Sequence, residues 1–204
     1  GDERTVHRDA ITVGDAFPAM DAQNVVLVLM DTGAQSGYVD VNNKAVNFVV
    51  GQKDCLSQDG KMNTTNTNSG SWDSCAMRTE LNNKYYNALP TTFKSCLKQF
   101  KTVTATEYND STVTTSNDYI ALFANKEVTG SRNVSNQAEA NALTQINYYK
   151  TSDKIKNQAG IAKAWLLRSP KYDSASSWVI IGSNGATSGN GGSSQKGIAP
   201  FMCI

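Results

Sequence analysis

The apolar residues of this chain come in short runs of strand length, set towards both ends and separated by polar segments. Asn24–Met30 (NVVLVLM) is nearly continuous in apolar character, which suits a strand covered on both faces. Ala10–Val13, Tyr38–Val41, Ala45–Val50, Thr102–Thr106, Tyr119–Phe123, Trp165–Ser169 and Trp178–Ile181 read as further strands, and Ile198–Ile204 closes the chain. Helical spacing is confined to the middle. From Ser71 onward, Met77, Leu81, Tyr85 and Ala88 recur on one face. After Pro90, whose missing N–H costs nothing in a first helical turn, Phe93, Cys96, Leu97 and Phe100 fall at helical intervals. Ala138–Tyr149 predicts a third helix. Lys61–Gly70 and the Gly-, Ser- and Asn-rich stretch Ser183–Lys196 read as loops. No repeat or Pro/Gly linker divides the 204 residues, so the pattern predicts one α+β domain over 1–204, with mixed antiparallel strands and two to three helices. Residues 1–9 are polar and charged, and a flexible leader is expected there.

Composition narrows the function. Nineteen basic residues face 18 acidic ones, for a net charge of +1, which removes the field that non-specific nucleic-acid binding needs. No apolar run reaches the roughly 18 residues of a membrane helix, so no membrane insertion is expected. The only histidine is His7, which argues against histidine metal sites and Ser-His-Asp triads. The surplus lies in 20 Asn, 19 Thr and 19 Ser, against 18% charged residues. Such a neutral surface of hydroxyls and carboxamides suits binding better than acid–base chemistry.

The chemical motifs are weak by comparison. Cys55, Cys75, Cys96 and Cys203 never approach CxxC spacing, and the choice between disulfides and buried thiols stays open. Cys96 in its helix stripe and Cys203 in the last strand both favour burial. Asp31-Thr32-Gly33 follows an apolar strand, as in retroviral-type aspartic proteases, and Val179–Gly182 resembles the partner segment. That mechanism needs two carboxylates sharing a proton, and no second D-T-G is present. A turn after a core strand explains the same residues. The Gly-rich tail lacks G-K-[ST] and precedes a strand where a phosphate loop needs a helix. The acidic residues show no EF-hand spacing, and no metal or cofactor is expected.

Trp72, Cys75, Arg78, Leu81 and Asn82 resemble the W-x-x-S-x-x-R-x-x-L-N helix of a domain of unknown function found in gut bacteria and their phages. The following YYNALP, the segment Tyr148-Tyr149-Lys150-Thr151 with Ile155-Lys156, the stretch Trp165–Pro170 (WLLRSP) and the closing Gly197–Ile204 are similar to that family's later motifs, in its order. Cys75 stands where the family has Ser, Leu166 where a second Trp is usual, and Ala199 where many members have Arg. The resemblance implies a C-type-lectin-like fold of the formylglycine-generating-enzyme type, with WLLRSP and the last strand in the core. The oxidase activity of that group needs a reactive cysteine pair, and only Cys203 lies near the C-terminus.

Some members of that wider fold are variable proteins of diversity-generating retroelements, including phage tropism determinants with an exposed binding face near the C-terminus. The corresponding stretch here is 171–196. The expectation is therefore a non-catalytic ligand- or receptor-binding module on a phage tail or a secreted or cell-surface protein. Its partner would be a bacterial surface protein or glycan, and no nucleic acid. Tyr172, Asp173, Ser174, Ser176, Ser177, Trp178, Asn184, Ser188 and Asn190 are the expected contacts. Each hydrogen bond of this kind is worth only ~1 kcal/mol net, so homo-oligomeric display is expected to raise avidity. The alternatives are a virion decoration domain without its own ligand and, more remotely, an aspartic protease using Asp31.

Overall fold

The computed structural model describes residues 16–17 and 26–204. The expected leader 1–9, the strand Ala10–Val13 and the first two residues of the run Asn24–Met30 lie outside them. The described residues form a mixed α+β structure of small antiparallel sheets and short helices. The first sheet joins the two ends of the chain. Strands β1 (Ala16–Phe17), β2 (Leu27–Thr32), β3 (Phe48–Gln52) and β11 (Phe201–Cys203) lie in the order β1-β2-β3-β11. Leu29 and Met202 both pair with Val50, from opposite sides. Every residue of β3, and all of β2 except Thr32, is buried, so the continuous apolar character of these segments reflects cover on both faces.

A second sheet, β10 (Thr187–Gly191), β9 (Ser177–Ile181), β8 (Trp165–Pro170), carries WLLRSP as a wholly buried strand. Its pairing with β9 slips between Leu166 and Pro170, and in that gap the Arg168 N–H donates to the Phe123 carbonyl at 2.9 Å. β9 is buried from Trp178 onward. β10 lies within Ser183–Lys196, which the sequence reads as a loop, because TSGNG has no apolar residue and is held by backbone pairing to β9. Two hairpins complete the sheets: β4 (Phe100–Ala105) with β5 (Val113–Asp118), and β6 (Lys156–Gln158) with β7 (Ile161–Lys163). The inward residues of β5 are Ser116 and Asp118, so hydropathy points instead to the following Tyr119–Phe123, which makes only a single bridge between Ala121 and Phe201.

The helices are shorter than their spacing suggests. After α1 (Gly33–Ser36), α2 (Ser71–Ser74) leads into a helical stretch made of α3 (Ala76–Glu80), a π-helical turn Leu81–Tyr85 and α4 (Tyr86–Ala88). This matches the stripe through Met77 and Leu81, both fully buried. The second expected helix stops early. α5 covers only Thr91–Lys94, because Lys98 donates its N–H to Cys203 and Phe100 joins β4 opposite Asp118. Leu97 and Phe100 are buried as expected, but Cys96 is exposed. The third expected helix divides into α7 (Gln137–Ala142) and α8 (Asn147–Thr151), after α6 (Asn125–Thr129). The break arises where the Ile146 N–H donates to the Glu127 carbonyl and the Asn147 N–H to the Asp31 carboxylate. Among the described residues, no helix is long and apolar enough to cross a membrane.

Candidate functional site

The motif residues of the first long helix build a buried hub around Asp118. Its Oδ2 accepts from Trp72 Nε1 at 2.9 Å and Thr102 Oγ1 at 2.6 Å, and its Oδ1 accepts from Arg78 Nε at 2.6 Å. Asn82, in the π-helical turn, donates to the Ile120 carbonyl and accepts the Tyr119 and Ile120 N–H groups. Cys75 takes the N-cap position of α3, where its sulfur accepts the Arg78 N–H at 3.4 Å. The spacing W-x-x-C-x-x-R-x-x-L-N therefore serves to hold one carboxylate in the core. All four cysteines are free thiols, and burial pushes the Cys75 thiol up to about 12.

WLLRSP supplies a second hub. Arg168 is fully buried and spends its donors on Glu127 Oε1 at 2.6 Å, the Leu122 and Val103 carbonyls, Thr104 Oγ1 and Tyr38. The second oxygen of Glu127 accepts from the Tyr38 hydroxyl. Ser169 Oγ donates to Glu139 Oε2 at 2.5 Å and accepts from the Asn125 N–H, while Glu139 Oε1 accepts from the Ala105 N–H. Burial holds the Glu139 carboxyl above its ordinary value of 4.5, against the opposing pull of Ser169, Arg168 and the Ala105 amide. A raised folded value adds stability in full below the unfolded value and loses it as the pH climbs through the folded one. Glu139 thus favours the fold in acid and opposes it towards neutrality. Glu139→Gln, close in shape and unable to ionise, should gain melting temperature over the wild type as the pH rises from about 4.5 to about 7.5. A difference that stays flat over that range would contradict this.

The family segment before WLLRSP is also scaffold. Lys156 is buried, with Nζ donating to the Gln52 and Lys53 carbonyls at 2.7 and 3.0 Å and lying over the rings of Trp165 and Tyr149. Burial pushes its ammonium down to about 8. Asp31, the residue of the protease alternative, is buried and accepts two backbone N–H groups, from Thr32 and Asn147, at 2.8 Å each. Thr32 N-caps α1, and a Cβ on Gly33 would lie 1.5 Å from the Val46 carbonyl oxygen. The D-T-G triplet thus has a complete local cause in a turn packed against a strand.

The expected contact residues are spread over the loop between β8 and β9, the turn at the other end of β9, and β10. The Lys171 N–H donates to the Ser177 carbonyl and closes the loop that carries Tyr172, Asp173, Ser174 and Ser176. Tyr172 is 46% exposed and Asp173 is exposed, its Oδ1 taking the Lys171 ammonium at 2.5 Å. The Lys171 stem crosses β10 at Gly189, where a Cβ would meet its Cδ at 2.7 Å. Ser188 is exposed on β10, beside the half-buried Asn190. Ser174 and Ser176 share a hydroxyl contact of 3.2 Å. Asn184 sits exposed in the tight turn between β9 and β10 and caps the Ala186 N–H. Ser177 is half-buried. Trp178 must be reassigned: it is 0% exposed and its indole N–H donates to the Thr67 carbonyl, so it supports the face from beneath.

Two buried carboxamides fix this surface from within. Asn68 Nδ2 donates to the Ser174 and Ser177 carbonyls, and Asn125 Nδ2 to the Ser131 and Arg132 carbonyls. The second of these brings in a neighbouring loop that sequence reasoning missed. The Tyr172 N–H donates to the Val134 carbonyl at 2.8 Å, the Arg132 guanidinium lies 4.6 Å from the Tyr172 ring centroid, and Asn133 Nδ2 donates to Thr187 Oγ1. The sequon Asn133-Val134-Ser135 does not signal this role of residues 131–134, which depends on contacts about forty or more positions away. Among the described residues, no group of three or more His, Cys, Asp or Glu side chains is placed to hold a metal ion.

No curated protein and no solved structure matches the chain. A family model described as "Domain of unknown function (DUF6273)" matches residues 23–204, a span that contains both hubs and the whole exposed face. The chain belongs to the DUF6273 family.

Proposed function

We propose that this chain is a non-catalytic ligand- or receptor-binding module of C-type-lectin-like fold, displayed on a phage tail or a bacterial surface. Its contact surface is the stretch 171–196 together with the loop 131–134. The observation that carries this reading is the contrast between the covered strands β8 and β9 and the segments that connect and flank them. Tyr172 and Asp173 in the β8–β9 loop, Asn184 in the β9–β10 turn and Ser188 on β10 stand exposed on backbone pinned by Asn68, Asn125 and the β9–β10 pairing. Side chains in that position can change without disturbing either hub, which suits a diversity-generating-retroelement variable protein. The lectin-like assignment is supported by WLLRSP and the closing strand, both buried as the resemblance implies.

The test is binding of the purified chain to a panel of intact gut-bacterial cells and to a glycan array. Replacing Tyr172, Asp173 and Asn184 together by alanine should abolish binding while leaving the melting temperature within a few degrees of the wild type. Unchanged binding would overturn the site. Failure of the wild type to bind any cell or glycan would favour a virion decoration domain instead.

A further inference from the structure

We infer that Arg132 is the charge-reading residue of this face and that the ligand is a carboxylated saccharide, an inference that rests on the binding-module reading above. Arg132 is half-buried and immobilised. Its Nε donates to the Ser135 carbonyl at 3.0 Å, its guanidinium lies on the Tyr172 ring, and its own carbonyl is held by Asn125 at 2.6 Å. None of the ion pairs among the described residues includes it, and its Nη1 and Nη2 donate to no protein acceptor there. A guanidinium fixed through Nε and its flat face presents two terminal nitrogens in the fork geometry that matches a carboxylate. Because the fork is already ordered, little entropy is lost when the anion arrives.

The surroundings decide what carries that carboxylate. Lys171 is another cation of this surface, and Asp173 already neutralises it at 2.5 Å. Beside Arg132 a polyacidic peptide would therefore meet a paired lysine and an exposed carboxylate of its own sign. A sugar acid has a single carboxylate and several hydroxyls. Asp173, Asn133 and Ser188 are exposed acceptors and donors for those hydroxyls, and the open part of the Tyr172 ring offers an apolar surface for a sugar's C–H groups.

The experiment is calorimetric titration of the whole chain with oligogalacturonate, with neutral oligogalactose of matched length and with polyglutamate. Oligogalacturonate should bind more tightly than the neutral oligomer, and polyglutamate should not compete. Arg132→Gln should weaken oligogalacturonate binding by about tenfold or more and leave the neutral sugar unaffected. Arg132→Lys, which keeps the charge without the fork, should fall between the two. Equal wild-type affinity for charged and neutral oligomers, stronger binding of polyglutamate, or an Arg132→Gln variant that binds oligogalacturonate like the wild type would each overturn the inference. If the triple alanine variant loses cell binding while Arg132→Gln keeps it, the carboxylate inference falls and the face stands. If the triple variant keeps cell binding, the face itself falls.

Discussion

Arg168→Met should cost the protein about 4 kcal/mol of folding stability, a large share of what a domain of this size has to lose. The side chain that disappears is not the main source of that loss. Glu127 stays behind in the core, 1% exposed, without the guanidinium that lay 2.6 Å from its Oε1. The Leu122 and Val103 carbonyls and Thr104 Oγ1 lose donors in the same step. A buried charge stripped of its partner costs far more than a pair removed as a unit. Adding Glu127→Gln to Arg168→Met should therefore restore part of the stability, and the two substitutions should be strongly non-additive. Arg168→Lys should also destabilise, because an ammonium cannot reach five acceptors spread around a planar fork. Urea unfolding of the four variants measures all of this. A loss under about 1 kcal/mol for Arg168→Met would contradict the buried-hub description.

Asp118→Ala should cost about 3 kcal/mol, chiefly through the Trp72 indole N–H left without an acceptor. Trp72 Nε1 is buried, points at Asp118 Oδ2 and cannot turn to water once it is gone, whereas Thr102 Oγ1 falls back on the Ser116 carbonyl at 3.3 Å. Arg78 suffers less. It is a quarter exposed and keeps the Asp73 and Asn117 carbonyls, so its share is reduced by solvent screening. Asp118→Asn is the sharper probe. It preserves volume, but it replaces one acceptor oxygen by a donor where four donors converge, from Trp72, Thr102, Arg78 and Asn82, and should still cost about 2 kcal/mol. If Asp118→Asn unfolds at the same urea concentration as the wild type, the carboxylate is not the hub that the motif W-x-x-C-x-x-R-x-x-L-N serves.

The sequence made the apolar strands and the long helix legible because their burial is written in their own side chains. Leu27–Met30, Trp165–Leu167 and Trp178–Ile181 are apolar because both of their faces are covered, and Met77 and Leu81 recur because one helix face is covered. The polar core could not be read this way. Ser116, Asp118, Asn125, Glu127 and Glu139 look like surface residues in any local window and are buried only because partners up to 89 positions away receive them. For the same reason β5 and β10 went unseen, since neither carries an apolar inward face. The spacing through Phe93 and Phe100 misled in the opposite direction. Phe93 does lie in α5, but the helix ends at Lys94, and pairing of Lys98 to Cys203 and of Phe100 to Asp118 draws the rest of the stripe into extended chain. On the face, the residues within the family stretch could be named in advance, whereas Arg132 and Asn133 could not. Trp178 was drawn into the contact set by its polar neighbours, although Thr67 holds its indole in the core.

A scaffold with two polar hubs buried in its apolar core carries, on this account, a face whose side chains are free of the fold. The direct measurement is protease resistance of surface-displayed single-substitution libraries at Tyr172, Asp173 and Ser188, compared with libraries at Arg168, Glu127, Asp118 and Trp178. The first group should tolerate nearly every residue without loss of resistance, and the second should tolerate almost none. Face positions as intolerant as Arg168, or hub positions as permissive as Ser188, would contradict the account.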